Sequence, residues 1–158
     1  MSSIAVYAGS FCPFTKGHED IVRKSVPLFD HLVIAVGHNY NKKDLFPVEQ
    51  RVEWIEQLYK GNPKVSVEAY QGLTVDFCRK AHAQYMVRGV RNAADYAVEE
   101  EMRLANRMLC PEVETVFIPA SPEWAAVSSS LVRELWTLGS GTYRSFVPDG
   151  IDLGVFPR

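Results

Sequence analysis

The chain has 158 residues, with 17 Lys and Arg against 19 Asp and Glu, and its formal net charge of −2 excludes a generally basic nucleic-acid coat. A length near 150 fits one domain with one core, and 47% hydrophobic and 23% charged residues exclude a disordered or fibrous chain. No apolar run approaches the roughly 20 residues of a membrane helix, and residues 1–7 hold no basic segment ahead of a long apolar core, so a cytoplasmic protein with no membrane or nucleic-acid partner is expected. Cys12, Cys78 and Cys110 are widely spaced and form no CxxC pair, which fits reduced thiols better than disulfides or zinc ligands.

The run Ile4-Ala5-Val6-Tyr7-Ala8 stops at Gly9 and reads as a strand buried on both faces. A helix follows over 17–29, where Ile21, Val22, Val26 and Phe29 recur at helical spacing, Thr15 is placed to cap it and Pro27 to kink or end it. Leu32-Val33-Ile34-Ala35-Val36 is a second strand, and after a polar loop a helix starts at Pro47 and runs through Val48, Val52, Ile55 and Leu58. Asn62-Pro63 marks a turn, 65–69 alternates like a strand, and 73–83 reads as the next helix. Tyr85-Met86-Val87 leads into Arg88-Gly89-Val90-Arg91, with Arg88 expected to end the fourth strand. A polar helix then spans about 95–108, a fifth strand 115–118, and a last helix 128–138 ahead of Gly139-Ser140-Gly141. Strands that alternate with helices predict an α/β fold, a doubly wound five-stranded parallel sheet with helices on both faces, in which ligands bind beyond the carboxyl ends of the strands.

The loop after the first strand, Gly9-Ser10-Phe11-Cys12-Pro13-Phe14-Thr15-Lys16-Gly17-His18, is neither GxGxxG nor a Walker A loop. Its glycine permits close backbone approach, Ser10 offers a hydroxyl, and His18 falls in the first helical turn, where free N–H groups and the dipole attract phosphate. The alternative reading makes both glycines turn residues and His18 a surface side chain. Ser128-Ser129-Ser130 opens the last helix and could hold phosphate with hydroxyls and N–H groups, or simply cap it. The remaining histidines, His31, His38 and His82, show no metal-ligand spacing.

Thr15-Lys16-Gly17-His18 resembles the (H/T)xGH signature of the nucleotidyltransferase superfamily, and Val127-Ser128-Ser129-Ser130-Leu131-Val132-Arg133 resembles its ISSTxxR-like motif. The intervening segments, among them Phe46-Pro47-Val48-Glu49-Gln50-Arg51, Gly72-Leu73-Thr74-Val75-Asp76 and Arg88-Gly89-Val90-Arg91, look like bacterial phosphopantetheine adenylyltransferases, in register from Tyr7 to Pro148. That resemblance implies a single Rossmann-like nucleotidyltransferase domain over 1–158 that transfers AMP from ATP to 4′-phosphopantetheine, giving dephospho-coenzyme A and pyrophosphate. It implies catalytic roles for His18, Lys42 and Arg91, and phosphopantetheine contacts at Ser10, Lys42, Thr74 and Arg88. Nucleotide contacts are implied at Ser10, Phe11, His18, Gly89, Val90, Arg91 and Glu99, and along Trp124, Ala125, Ala126, Val127, Ser128, Ser129 and Ser130.

The acceptor phosphate is already a nucleophile at neutral pH, so such a site needs alignment and charge neutralisation rather than a general base. Magnesium is expected to arrive with ATP, because Mg²⁺ leans on phosphate oxygens and keeps several waters. A homohexamer and feedback by coenzyme A are further implications of the resemblance. Cys12 stands where the family carries Asp, and Ala8 where it carries Pro. A nucleotidyltransferase with another acceptor, or a catalytically silent nucleotide-binding protein, remains the alternative.

Overall fold

The computed structural model describes residues 2–39, 41 and 43–157. Five parallel strands, β1 (Ile4–Gly9), β2 (His31–Gly37), β3 (Val65–Tyr70), β4 (Tyr85–Val90) and β5 (Glu114–Pro119), form one sheet in the order β3-β2-β1-β4-β5. The helices between them are α1 (Lys16–Ser25), α2 (Val48–Leu58), α3 (Thr74–Lys80) and α4 (Ala93–Leu109), with α5 (Ser129–Thr137) after the last strand. Parallel neighbours require crossovers, and each crossover here is a helix.

Alternation along the inner strands sorts their side chains into two layers. Ala5, Tyr7, Ile34 and Val36 face Ile21 and Val22 of α1, Ile55 of α2, and Val132 and Trp136 of α5. Val6, Ala8, Val33 and Ala35 face Val75, Phe77 and Cys78 of α3, together with Cys110 and Val113. The doubly wound reading is therefore correct in both of its faces. β1 and β2 are buried along almost their whole length because they are central, whereas β3 is an edge strand and stays half-exposed.

Three details differ from the sequence reading. α1 ends at Ser25, and Pro27 lies in a separate 3-10 turn, Val26–Leu28, because proline removes the N–H that would continue the ladder. β4 does not stop at Arg88: pairing with β5 carries it on to Val90, opposite Pro119, so Arg88 lies inside the strand. The tail after α5, to which the sequence reading assigned no element, forms a 3-10 helix, Gly141–Phe146, and then buries Val147, Ile151 and Leu153 in the first layer.

Candidate active site

β1 keeps register with β2 to its last residue, Gly9 opposite Val36, but pairs with β4 only from Ala5 opposite Tyr85 to Tyr7 opposite Val87. Beyond Tyr7 the two central strands part. This is also where the chain changes winding direction, with β2 and β3 on one side and β4 and β5 on the other, and an open α/β sheet offers its binding crevice at such a point. A cavity of about 250 Å³ occupies the gap, floored by Ala8, Gly9 and Gly89 and walled by α1, Arg91 and the residues leading into α5. A Cβ at Gly89 would lie 3.0 Å from Cγ1 of Ile21 on α1, so a side chain there would have to push Ile21 aside. Gly17 lies beside the Val127 and Trp124 carbonyls, which a Cβ would meet at 3.5 and 3.7 Å, ordinary van der Waals contact.

Arg88 bridges the splayed strands. Its Nη1 donates to the Ala8 carbonyl at 3.0 Å, while Nε and Nη2 make a paired interaction with the Glu99 carboxylate at 2.7 and 2.8 Å. This fork-to-fork geometry raises the guanidinium pKa above its already high value, so Arg88 is a fixed charge. On its far side lies a second cavity of about 220 Å³, lined by Leu73 and Thr74 at the start of α3, Met86, Glu99 and Asn106. Arg88 lines both cavities. The Thr74 hydroxyl shares a hydrogen bond of 2.9 Å with the Tyr70 phenol.

His18 is the third residue of α1 and half of a capping box: the Thr15 side chain accepts from the His18 N–H at 3.3 Å, and His18 Nδ1 accepts from the Thr15 N–H at 2.9 Å. Because Nδ1 is an acceptor, the ring proton of neutral His18 resides on Nε2. Phe11 and Phe14 pack around the imidazole with centroids 5.0 and 5.4 Å away. Burial, followed by the positive charges of Arg91 and Arg88, pushes the His18 pKa from 6.5 down to about 4. The helix cap thus fixes the tautomer and the surroundings fix the charge, leaving a neutral N–H donor in a cationic cavity. Tyr7, on the same wall, is held as a protonated phenol by burial.

Asp95 accepts from the Arg91 backbone N–H at 3.0 Å and lies 3.7 Å from its Nε, restraining the arginine at the cavity mouth. At the start of α5, the Ser128 hydroxyl accepts from the Leu131 N–H as N-cap, the Ser129 hydroxyl donates to the Pro13 carbonyl at 2.7 Å, and Ser130 accepts from Arg133. The Ser129 O–H is committed to structure, whereas Ser128 and Ser130 only accept and keep an O–H to donate; these hydroxyls and the first N–H groups of α5, which have no intrahelical acceptor, supply the anion-binding capacity. Arg133 also donates to the Cys12 carbonyl at 2.7 Å, locking the β1 loop onto α5. A deeper brace is Asp20, whose buried carboxylate accepts from the Ser121 N–H at 3.0 Å and hydroxyl at 3.1 Å and pairs with Arg23 and Lys24.

Of the residues singled out in the sequence, Ser10, Phe11, His18, Arg88, Gly89, Arg91, Trp124, Val127, Ser128 and Ser129 come together around the first cavity. Val90, Ala125, Ala126 and Ser130 flank its walls without lining it, and Glu99 lines the second cavity beside Thr74 rather than the first. Lys42 lies outside the described residues. Tyr7, Ile21, Asp95 and Ala120 line the first cavity without having been singled out for it. For Asp95 a signal existed that the sequence reading did not use, the helix-cap spacing to Asn92, whose Oδ1 accepts from the Asp95 N–H at 2.8 Å. Among the described residues no three His, Cys, Asp or Glu side chains converge on a cation position. The groups gathered around the first cavity are mainly cations and N–H donors, a set suited to phosphate.

Comparison with known proteins agrees with this chemistry. The cytidylyltransferase-like family model matches residues 6–135, spanning both the His18 loop and most of α5, and so defines the class as nucleotidyltransferase. The fold recurs in a bifunctional NMN adenylyltransferase/ADP ribose pyrophosphatase from Francisella tularensis, with a TM-score of 0.70 at 19% identity over 93% of this chain and 45% of that one. The phosphopantetheine adenylyltransferase of Flavobacterium johnsoniae is 44% identical over 93% of this chain and 95% of its own length. That of Cytophaga hutchinsonii is 43% identical over 94% and 98%. The chain belongs to the phosphopantetheine adenylyltransferase family.

Proposed function

We propose that the protein transfers AMP from ATP to 4′-phosphopantetheine, releasing pyrophosphate and forming dephospho-coenzyme A. The observation that carries this reading is the pair of cavities joined through Arg88: one lined by a neutral histidine and Arg91 at the mouths of α1 and α5, the other by Leu73, Thr74, Met86 and Asn106. The first suits a triphosphate and the second an arm that is partly apolar and partly amide, with Arg88 beside the point where the two substrates meet. Family membership at more than 40% identity supports the same acceptor.

In the reaction an oxygen of the acceptor phosphate bonds to the α-phosphorus of ATP, while the bond from that phosphorus to the bridging oxygen breaks and pyrophosphate leaves with the electron pair. The acceptor is anionic, so no base is required; the task is to align two anions and absorb charge on the transferring phosphoryl group. His18 donates through Nε2 to that group, Arg91 and the α5 N–H groups hold the departing phosphates, and Arg88 holds the acceptor phosphate. Lys42 and Ser10 are assigned to the junction on the family resemblance. Trp124, with the Lys16 ammonium 5.4 Å above its ring, offers a face to the nucleotide base. Magnesium enters as Mg·ATP, carried by phosphate oxygens.

The proposal extends to a homohexamer, supported by the apolar side chains that α4 leaves exposed, among them Val98, Met102, Leu104 and Met108; a monomer mass by light scattering would reject it. Coenzyme A, which carries the same pantetheine arm, is expected to compete at the second cavity. A cytoplasmic location is consistent with the lack, among the described residues, of any helix long and apolar enough to cross a membrane.

The test is pyrophosphate release from Mg·ATP with 4′-phosphopantetheine, nicotinamide mononucleotide and glycerol 3-phosphate as parallel acceptors. Release with phosphopantetheine alone supports the reading. Release with a different acceptor only, or with none from protein that binds ATP, rejects it.

A further inference from the structure

Arg51, on α2, lines neither of the two cavities joined through Arg88, yet it heads the fully buried side chains by size, with 1% of its surface exposed. A cation so deep in a fold is costly unless every donor is answered. Here four of its five N–H donors are: Nε donates to the Phe46 carbonyl at 3.0 Å, Nη1 to the carbonyls of Gly37, at 3.0 Å, and Ser10, and Nη2 to the Asp44 carboxylate at 2.8 Å. Ser10 directly follows β1, Gly37 ends β2, and Phe46 precedes the helix that carries Arg51. One planar fork therefore ties the carboxyl ends of two central strands to the entrance of α2, a set of bonds that a lysine, with a single nitrogen, cannot reproduce.

The Ser10 carbonyl belongs to the peptide that carries the Phe11 N–H, and in a trans peptide the two point in opposite directions. A carbonyl held by Arg51 thus directs the Phe11 N–H away from Arg51, in a segment whose residues Ser10 and Phe11 both line the first cavity. Phe11 is further constrained: its φ of 47° is in the left-handed region, uncommon for a bulky residue, and its ring is wedged 5.2 Å from Tyr7 and 5.0 Å from His18. Among the described residues no protein acceptor meets the Phe11 N–H.

We infer that Arg51 is a positioning residue for the transfer: through the Ser10 carbonyl it fixes the Phe11 N–H as a donor to the phosphate chain beside His18. The inference rests on the adenylyl-transfer reading for its effect on rate, but not for its effect on the amide. Two measurements on Arg51→Met and Arg51→Lys test it. In steady-state assays, kcat per ATP-binding site falls by about thirtyfold, whereas Kd for Mg·ATP rises by less than about fivefold, as expected when a donor is misaimed rather than a pocket lost. In protein with isotope-labelled phenylalanine amides, Mg·ATP without acceptor moves the Phe11 amide proton downfield in the parent and leaves it in place in the variants.

If Arg51→Met does not fold, Arg51→Lys carries the test. A purely structural role would lower Tm and the fraction of protein that binds ATP, with kcat per binding site and the Phe11 response both parental; that result overturns the inference. A parent protein with no turnover would end the adenylyl-transfer reading, and the amide titration would then decide Arg51 alone.

Discussion

The charge of His18 is the most direct consequence of the site's construction, and pH is the perturbation that reads it. With a pKa near 4 rather than 6.5, about 10% of the imidazole is protonated at pH 5 in the free protein, against about 97% for an unperturbed ring. Rate profiles alone mix this with the acceptor, whose phosphate titrates near pH 6. The direct assay is the imidazole carbon–proton resonance of His18 followed from pH 8 down to about pH 3, with the other three histidines assigned by substitution. The expected midpoint is close to 4, moving upward when Mg·ATP adds phosphate charge that offsets Arg91 and Arg88.

Stability follows the same sign. The folded pKa lies below the unfolded one, so the unfolded chain binds the proton more readily, and the contribution is complete above pH 6.5 and lost as pH falls through about 4. The full shift corresponds to about 3 kcal/mol; because the ring is only half-buried, a loss on the order of 2 kcal/mol is expected, and His18→Ala should abolish this part of the pH dependence. The same variant should lower kcat by about 10²–10³ through loss of one preorganised donor. A midpoint near 6.5 in the free protein would refute the reasoning, because burial and two neighbouring arginines would then have gone unfelt.

Three other outcomes follow from the braces around the site. Burial alone would raise the Asp20 pKa, but hydrogen bonds from Ser121, Arg23 and Lys24 outweigh it and hold the carboxyl at about 2, so its contribution is present above pH 3.8 and lost as pH falls through 2. Asp20→Asn should cost about 2 kcal/mol, or about 5 °C in Tm at neutral pH, and a calorimetric change below about 1 °C would count against it. Gly89→Val places side-chain atoms against Ile21, where even a Cβ would lie at 3.0 Å, and should raise KM for ATP at least about tenfold; an unchanged KM would show that α1 can retreat without cost. Glu99→Ala releases the Arg88 fork and should raise KM for phosphopantetheine by about tenfold while sparing ATP. A rise confined to ATP would return Glu99 to the nucleotide side.

What the sequence determined by itself was whatever is written in short stretches. The runs 4–8 and 32–36 are legible as strands because a parallel sheet covered on both faces needs uninterrupted apolar side chains of strand length. Thr15 with His18, and Ser128 with Leu131, are legible because a helix cap is closed within one turn. The family resemblance also named most of the residues that meet in the first cavity. It did not reveal why they meet: the parting of β1 from β4 depends on strand order and on where pairing stops, and neither leaves a local periodicity to read. Arg88 reaches the Ala8 carbonyl across 80 positions and Arg51 reaches Ser10 across 41. The resemblance marks Arg88 as a substrate contact and places Arg51 only within a matching segment, and the partners of neither can be read there; only the closure of those long loops around a shared core makes one a bridge between cavities and the other a buried cation that must find its partners.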